Sequence, residues 1–216
     1  METKNKNIIY FTDNRLDEKI DREVRAQLLS IGLPIVSASL QPMDFGKNIH
    51  LPLQRGYETY FKQILAALEA STSDVIFFCE HDVLYHPSHF DFDPPRKDTF
   101  YYDHNWWKVR LPDGHAVHWD ADQVSGLCAY RELLIPHYRK IVEEFNRDKF
   151  NRRFEPGSGT HSDSWKCAEP AVDIRYDSNL TRSKWSLADF RDKRTAKNFQ
   201  EGTCPEWAKD RVSRMV

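Results

Sequence analysis

The feature that most constrains this chain is the alternation in its first 80 residues. Asn7 to Thr12 (NIIYFT) is a short apolar run that stops at the polar residues Asp13, Asn14 and Arg15. Leu16, Ile20, Val24 and Leu28 then recur every four residues, which puts them on one face of a helix. Gly32 closes that helix, and Leu33 to Leu40 (LPIVSASL) reads as a second strand. After a loop, QPMDFGKN, a second helix is expected over about residues 53–70, with Tyr57, Phe61, Ile64, Leu65 and Leu68 as its apolar stripe. Asp74 to Cys79 (DVIFFC) is apolar beyond its first residue, as a strand covered on both faces requires. The pattern is β-α-β-α-β, the start of a mostly parallel sheet with helices packed on it.

Beyond residue 86 short aromatic runs alternate with turns. Thr99–Asp103, Trp106–Leu111 and His115–Trp119, with the turn Pro112-Asp113-Gly114, predict one or two hairpins. Helical spacing returns over residues 132–149, with Pro136 expected near the first turn, where proline is tolerated. Pro, Gly, Ser and Asp then dominate from Phe154 (EPGSGTHSDSW), which predicts a functional loop. A strand near Ala171–Tyr176 and a last helix near Ser186–Phe199 complete the reading.

At 216 residues the chain is expected to form one domain. Residues 1–90 would be its nucleotide- and metal-binding half, and 91–216 its acceptor-side half. The net charge of −2 conceals an asymmetry: residues 1–130 carry −6 and residues 131–216 carry +4. An acidic first part suits a cation and a basic second part suits phosphates, although both also suit ordinary solvated surfaces. Cys79, Cys128, Cys167 and Cys204 form no CxxC pair and read as free thiols. No apolar run approaches the roughly 18–20 residues that span a bilayer. The polar start METKNKN lacks the apolar core of a leader. A cytoplasmic protein is expected, in a bacterial or phage-infected cytosol.

Glu80-His81-Asp82 follows directly on the third strand. In open α/β sheets ligands bind at the carboxyl ends of strands. In an extended segment residues i and i+2 point the same way, so Glu80 and Asp82 would face one ligand together. Two hard oxygen donors suit Mn²⁺ or Mg²⁺ bound to a diphosphate. The alternative is a carboxylate that caps the next turn.

The arrangement resembles the nucleotide-sugar-dependent glycosyltransferases of the GT-A fold, in a small phage or bacterial form. Their short acidic D-x-D motif ends the strand after a Rossmann-like half. The resemblance covers roughly residues 7–145, with glutamate in place of the first aspartate, and includes Ser125-Gly126-Leu127-Cys128-Ala129-Tyr130-Arg131, which is similar to the stretch lining the acceptor pocket. It implies an α/β fold: a Rossmann-like, mostly parallel sheet flanked by helices, with a small antiparallel acceptor-side subregion. It implies that Asp82 contacts the metal and that Glu80 reaches it through water or binds the ribose. It places nucleotide contacts at Thr12, Asp13, Asn14 and Arg15, where Asp13 or Asn14 would read the base and Arg15 would meet a phosphate. Asp13 or Asn14 reads equally as a helix cap. The resemblance also puts a basic residue, Arg55, near the nucleotide, where the plainer reading is a solvated helix-start arginine. It implies late basic residues on the diphosphate, here Arg182 and Lys184. Tyr176 stands where a histidine would complete the metal shell, with Asp177 or His161 as substitutes.

Other residues are read on their own chemistry. Trp106 and Trp107 are adjacent on an expected strand, so one points out and is available to stack on an acceptor. The alternative is that they form the core of the small second sheet. An inverting transfer needs a carboxylate base, and of Asp120, Asp122, Glu155 and Asp163 the sequence favours Asp163 and Glu155, which lie in the polar loop. His81, His86 and His89 match no strong zinc spacing. The resulting expectation is a metal-dependent transferase of a sugar from a nucleotide-diphosphate sugar to an acceptor hydroxyl. The acceptor would be hydroxymethylated pyrimidine in duplex DNA or a cell-envelope saccharide. A metal-dependent hydrolase using Glu80, Asp82 and the nearby histidines, and a catalytically silent nucleotide-binding module, are the alternatives.

Overall fold

The structure, a computed structural model, describes residues 5–111, 113–145, 161–176 and 183–216. The strand most apolar in sequence lies at its centre. β4 (Val75–Glu80) is buried along its length except at Glu80, and it runs parallel to β1 (Lys6–Thr12). β1 pairs in parallel with β2 (Ile35–Ser39), and β2 with β3 (Lys47–His50). β3 falls where the sequence gives only a loop, because its four residues carry no buried stretch and no alternation. Gly46 admits it: at φ +61° a Cβ would collide with the Ile35 carbonyl.

On its other side β4 meets β9 (Leu127–Tyr130), which is antiparallel. β6 (Phe100–Asp103) pairs antiparallel with β9, and β10 (Ser162–Trp165) parallel with β6. The main sheet therefore has the order β10-β6-β9-β4-β1-β2-β3. It is mostly parallel, as expected.

Strand alternation sends the two faces of this sheet to different partners. Ile8 and Tyr10 face α1 (Glu18–Ser30), whose Ile20, Val24 and Leu28 join the same core. Ile9 and Phe11 face α2 (Tyr57–Ala70) and α3 (Arg131–Phe145), through Phe61, Ile64, Leu68, Leu134 and Tyr138. Each such side chain contributes roughly 1.5–3 kcal/mol by leaving water. Pro136 lies inside α3 rather than in its first turn, because that helix already starts at Arg131.

The second sheet has the order β12-β8-β7-β11-β5. β7 (Trp106–Arg110) and β8 (His115–His118) form the expected hairpin. β11 (Ala171–Arg175) runs parallel to β7 and antiparallel to the two-residue β5 (Val83–Leu84). β12 (Gln200–Thr203) closes the other edge against β8. Both sheets contain strands from before and after residue 90, in contiguous blocks: β4, β1, β2 and β3 make one side of the main sheet, and β5 alone stands at the edge of the second.

The last helix expected over Ser186–Phe199 is absent among the described residues. Short 3-10 turns at Leu187–Asp189 and Lys193–Thr195 take its place, and α4 is only Lys209–Ser213. Ser186 and Asp189 cap each other, and Asp192 caps Arg194, so these side chains compete for the backbone that a helix would use. Phe190 turns inward onto Trp119, with ring centroids 5.1 Å apart. The four cysteines are free and buried. No helix among the described residues is long and apolar enough to cross a membrane.

Candidate active site

Glu80 ends β4, and Val83 begins β5, so Glu80-His81-Asp82 is the point where the chain leaves one sheet for the other. β1 runs parallel beside β4 with Phe11 opposite Glu80, and both strands end at the same edge. Thr12 and His81 join the two ends, with Oγ1 and Nδ1 2.7 Å apart. The Tyr85 hydroxyl accepts from the Glu80 amide at 3.0 Å and donates to the Ser125 carbonyl at 2.9 Å. Two strand ends and one buried phenol therefore fix the acidic tip.

The second sheet brings a third carboxylate. Asp173 on β11 stands opposite Val83, and the Ile174 amide donates to the Asp82 carbonyl at 2.8 Å. Lys108 Nζ lies 3.5 Å from Asp173 Oδ2, and an Arg175 guanidinium nitrogen lies 3.4 Å from Asp173 Oδ1. Burial pushes the Glu80 carboxyl up to about 8, the charges of Asp82 and Asp173 push the same way, and Lys108 and Arg175 oppose them. Asp82 is also raised, first by burial and then by Asp173, against the pull of His81 and Arg175. Burial and mutual repulsion thus favour the protonated forms of Glu80 and Asp82.

The expected nucleotide residues gather at the neighbouring strand end. Asp13 Oδ2 accepts from Arg55 Nε at 2.5 Å, and its Oδ1 accepts from the Arg15 amide at 3.2 Å. The helix cap is Asp17, which accepts from the Lys19 amide at 2.8 Å, so Asp13 and Asn14 do not serve as the cap. Asn14 takes a left-handed φ of 59°, and its Oδ1 accepts from the Leu40 and Gln41 amides at 2.8 and 3.0 Å. That oxygen ties β1 to β2. Arg15 is exposed. Tyr176, half-buried at the end of β11, feels the charges of Asp82, Asp13, Arg175 and Arg55, and its phenol is pushed up to about 12, chiefly by burial.

Other expected residues lie elsewhere. Asp163 is exposed on β10, three strands from β4 and so roughly 14 Å across the sheet. Its carboxylate accepts from the Ser164 amide at 2.8 Å. Glu155, Asp177 and Arg182 lie outside the described residues. Lys184 does not face the tip: its ammonium sits 4.1 Å from the centre of the Phe190 ring. Trp106 is 4% exposed and packs edge-on against Trp119, so its face is not offered to an acceptor. Trp107 is half-buried over Gly202, where a Cβ would approach its ring to 3.0 Å. Trp106 does line a small cavity of about 10 Å³, room for about one water, with Asp103, Gln123, Ser125, Gly126 and Asp173.

The donors at the tip are oxygens of carboxylates, the type a hard divalent cation takes. Glu80 and Asp82 suit such an ion; Asp173 already has a cationic partner at each oxygen. His81, His86 and His89 take separate partners (Thr12, Ser88 and Asp103) and form no zinc site. A second group, His89, Asp103 and Cys167, is buried with its donor atoms within 4.8 Å of one another. Two of those donors are engaged, His89 Nδ1 with Asp103 at 2.7 Å and Cys167 Sγ with the Glu169 carbonyl at 2.9 Å, whereas His89 Nε2 is buried without a hydrogen-bond partner.

Sequence reasoning missed Asp173, Lys108 and Arg175. One signal was present. In AVDIR the two charged residues are two apart on an apolar strand, so they share one face, and a buried pair of charges needs a reason.

No protein-family model matches the chain, and no curated protein matches it. Among solved structures it is similar to a glycosyltransferase involved in the glycosylation of the major capsid of PBCV-1, at 9% identity over 78% of this chain and 91% of that one, with a TM-score of 0.48. It is also similar to HddC from Yersinia pseudotuberculosis, at 11% identity over 77% and 92%, with a TM-score of 0.45. A third is a Drosophila β1,4-galactosyltransferase 7 mutant in complex with manganese, UDP-Gal and xylobiose, at 11% identity over 87% of this chain and 81% of that one, with a TM-score of 0.45.

Proposed function

We propose that this protein is a glycosyltransferase that moves a sugar from a nucleotide-diphosphate sugar to an acceptor hydroxyl with the help of a divalent cation. The observation that carries the reading is the acidic tip. Glu80 and Asp82 stand at the carboxyl end of the central strand, beside Thr12, Asp13 and Arg55 at the end of β1. The strand ends of an open α/β sheet are where nucleotides bind. Arg55 would meet the donor with its charge, and Thr12, Asp13, Asn14 and Arg15 would form the wall around the nucleotide.

Mn²⁺ or Mg²⁺ on Asp82 and Glu80 would act as a Lewis acid and neutralise the leaving diphosphate. The chain's own residues do the rest. Tyr85 holds the Glu80 backbone in place. Asp163 is turned to its own backbone, so Glu155 is the carboxylate to test as the base, by Glu155→Gln. The direct test is donor hydrolysis and transfer with Mn²⁺. Activity that survives Asp82→Asn unchanged would remove the metal assignment, and the absence of any thermal stabilisation by UDP or GDP with Mn²⁺ would remove the donor.

The acceptor we propose first is hydroxymethylated pyrimidine in duplex DNA, supported by the +4 charge of residues 131–216. A salt-sensitive gel shift with duplex DNA is the expected result; no shift at low salt would turn the assignment to a saccharide hydroxyl.

A further inference from the structure

Lys108 is the least expected occupant of the site. Its side chain is 13% exposed, and its ammonium lies 3.5 Å from Asp173 Oδ2. The same ammonium faces the rings of Trp106 and Trp119, at 5.6 and 5.1 Å from their centres. The register of the second sheet sets this up, because Lys108 on β7 stands directly beside Asp173 on β11. Arg175 takes the other oxygen of Asp173 and is 8% exposed. Lysine is seldom enclosed in this way unless it is paired.

The charges can be counted. Glu80, Asp82 and Asp173 meet two cations held inside the protein, so the site offers at most one net negative charge. One charge is a weak lure for a bare divalent cation, which must give up water to bind. A nucleoside diphosphate changes the balance, since it brings several negative charges and an ammonium within reach can meet them directly.

We propose that Lys108 is a resident counter-cation of the acidic tip: it holds down the affinity for a bare divalent cation, and it turns to a diphosphate oxygen when the nucleotide arrives. The diphosphate half rests on the donor reading above. Arg175 keeps Asp173 paired when Lys108 leaves, so no buried carboxylate is stranded.

The experiment uses the full chain as wild type, Lys108→Met and Lys108→Arg. Binding of Mn²⁺ alone is followed by the paramagnetic resonance of the free ion. Binding of UDP and of GDP is followed by calorimetry, with a chelator and with Mn²⁺. Lys108→Met is expected to bind Mn²⁺ alone about tenfold more tightly and the diphosphate in chelator about tenfold more weakly, the scale of one charge at a few ångströms in a partly screened site. Lys108→Arg should stay near wild type in both. Damage to the fold weakens both ligands and cannot produce opposite signs. Constants that do not move, or that move together, overturn the assignment. If wild type binds neither diphosphate with Mn²⁺, the donor reading fails instead, and the Mn²⁺ arm still decides: tightening sustains the counter-cation and no change removes it.

Discussion

The buried Asp103 and the acidic tip at Glu80 and Asp82 meet the same electrostatic problem in opposite ways. Asp103 is 1% exposed, yet both its oxygens are engaged: His89 Nδ1 at 2.7 Å on one, and the Asn105 and Cys167 amides at 2.8 and 3.3 Å on the other. Burial alone would raise its carboxyl, but those hydrogen bonds and the charge of His89 outweigh it and leave it below the usual range. Glu80 meets the reverse. Burial and two neighbouring carboxylates push it up to about 8. A carboxylate wrapped in donors is part of the frame, whereas carboxylates that repel one another are groups a cation would relieve, which is the role proposed for the tip. Tyr85 connects the two: its ring lies 5.1 Å from His89, and its hydroxyl holds the Glu80 amide.

The comparison breaks most readily at Asp103. Asp103→Ala strands a buried imidazole and two amides, and the expected cost is about 3–5 kcal/mol, read from urea denaturation. A loss under 1 kcal/mol would show that the knot is not structural. At the tip the signs separate. Asp82→Asn should lower transfer with Mn²⁺ by about a hundredfold and leave the melting temperature level or higher, because it relieves repulsion. A fall in melting temperature that matches the fall in activity would put both carboxylate groups in the same structural class.

The pH dependence sharpens the same contrast. The folded pKa of Glu80, about 8, lies above its ordinary 4.5. Between those values the folded state holds a proton that the unfolded chain has released. Stability from this group is therefore complete below about 4.5, falls as pH rises through that window, and levels off above about 8. The slope stays under about 1.4 kcal/mol per pH unit, the limit for one proton, and well under it because Glu80 is only partly buried. Glu80→Gln should flatten that part of the curve in denaturant titrations at several pH values. An unchanged slope would place the titration elsewhere.

The Rossmann-like half was legible because its signals are local. The runs that became β1, β2 and β4 are apolar, α1 and α2 show helical spacing, and the acidic tip follows the most apolar strand. Of the second sheet, one hairpin and the strand near Ala171–Tyr176 were legible, but not how they pair. β5 has two residues, and β3, at the edge of the main sheet, is barely buried, so neither carries a pattern of its own. Asp173 reaches the tip through the register of β11 against β5 and β7, which no spacing in the sequence records. The late helix failed for a related reason: side-chain caps at Ser186 and Asp192 and the inward turn of Phe190 outweighed helix propensity.

Tyr85→Phe probes the link between the two groups. It removes a hydroxyl from the Glu80 amide and the Ser125 carbonyl, at an expected cost of about 1–2 kcal/mol. Transfer should fall a few-fold more than that cost explains, since the tip loses its anchor; a loss of stability with full activity would confine Tyr85 to the frame. The smallest expected effect belongs to Cys167. Its thiol donates to the Glu169 carbonyl while its amide serves Asp103. Serine keeps the amide and offers a donor of its own, so Cys167→Ser should cost under about 1 kcal/mol, and a chelator should not move the urea midpoint of either protein. A chelator that lowered the wild-type midpoint but spared Cys167→Ser would mean that His89, Asp103 and Cys167 carry a cation. The contrast would then collapse, because the donor-wrapped carboxylate would itself be a metal ligand.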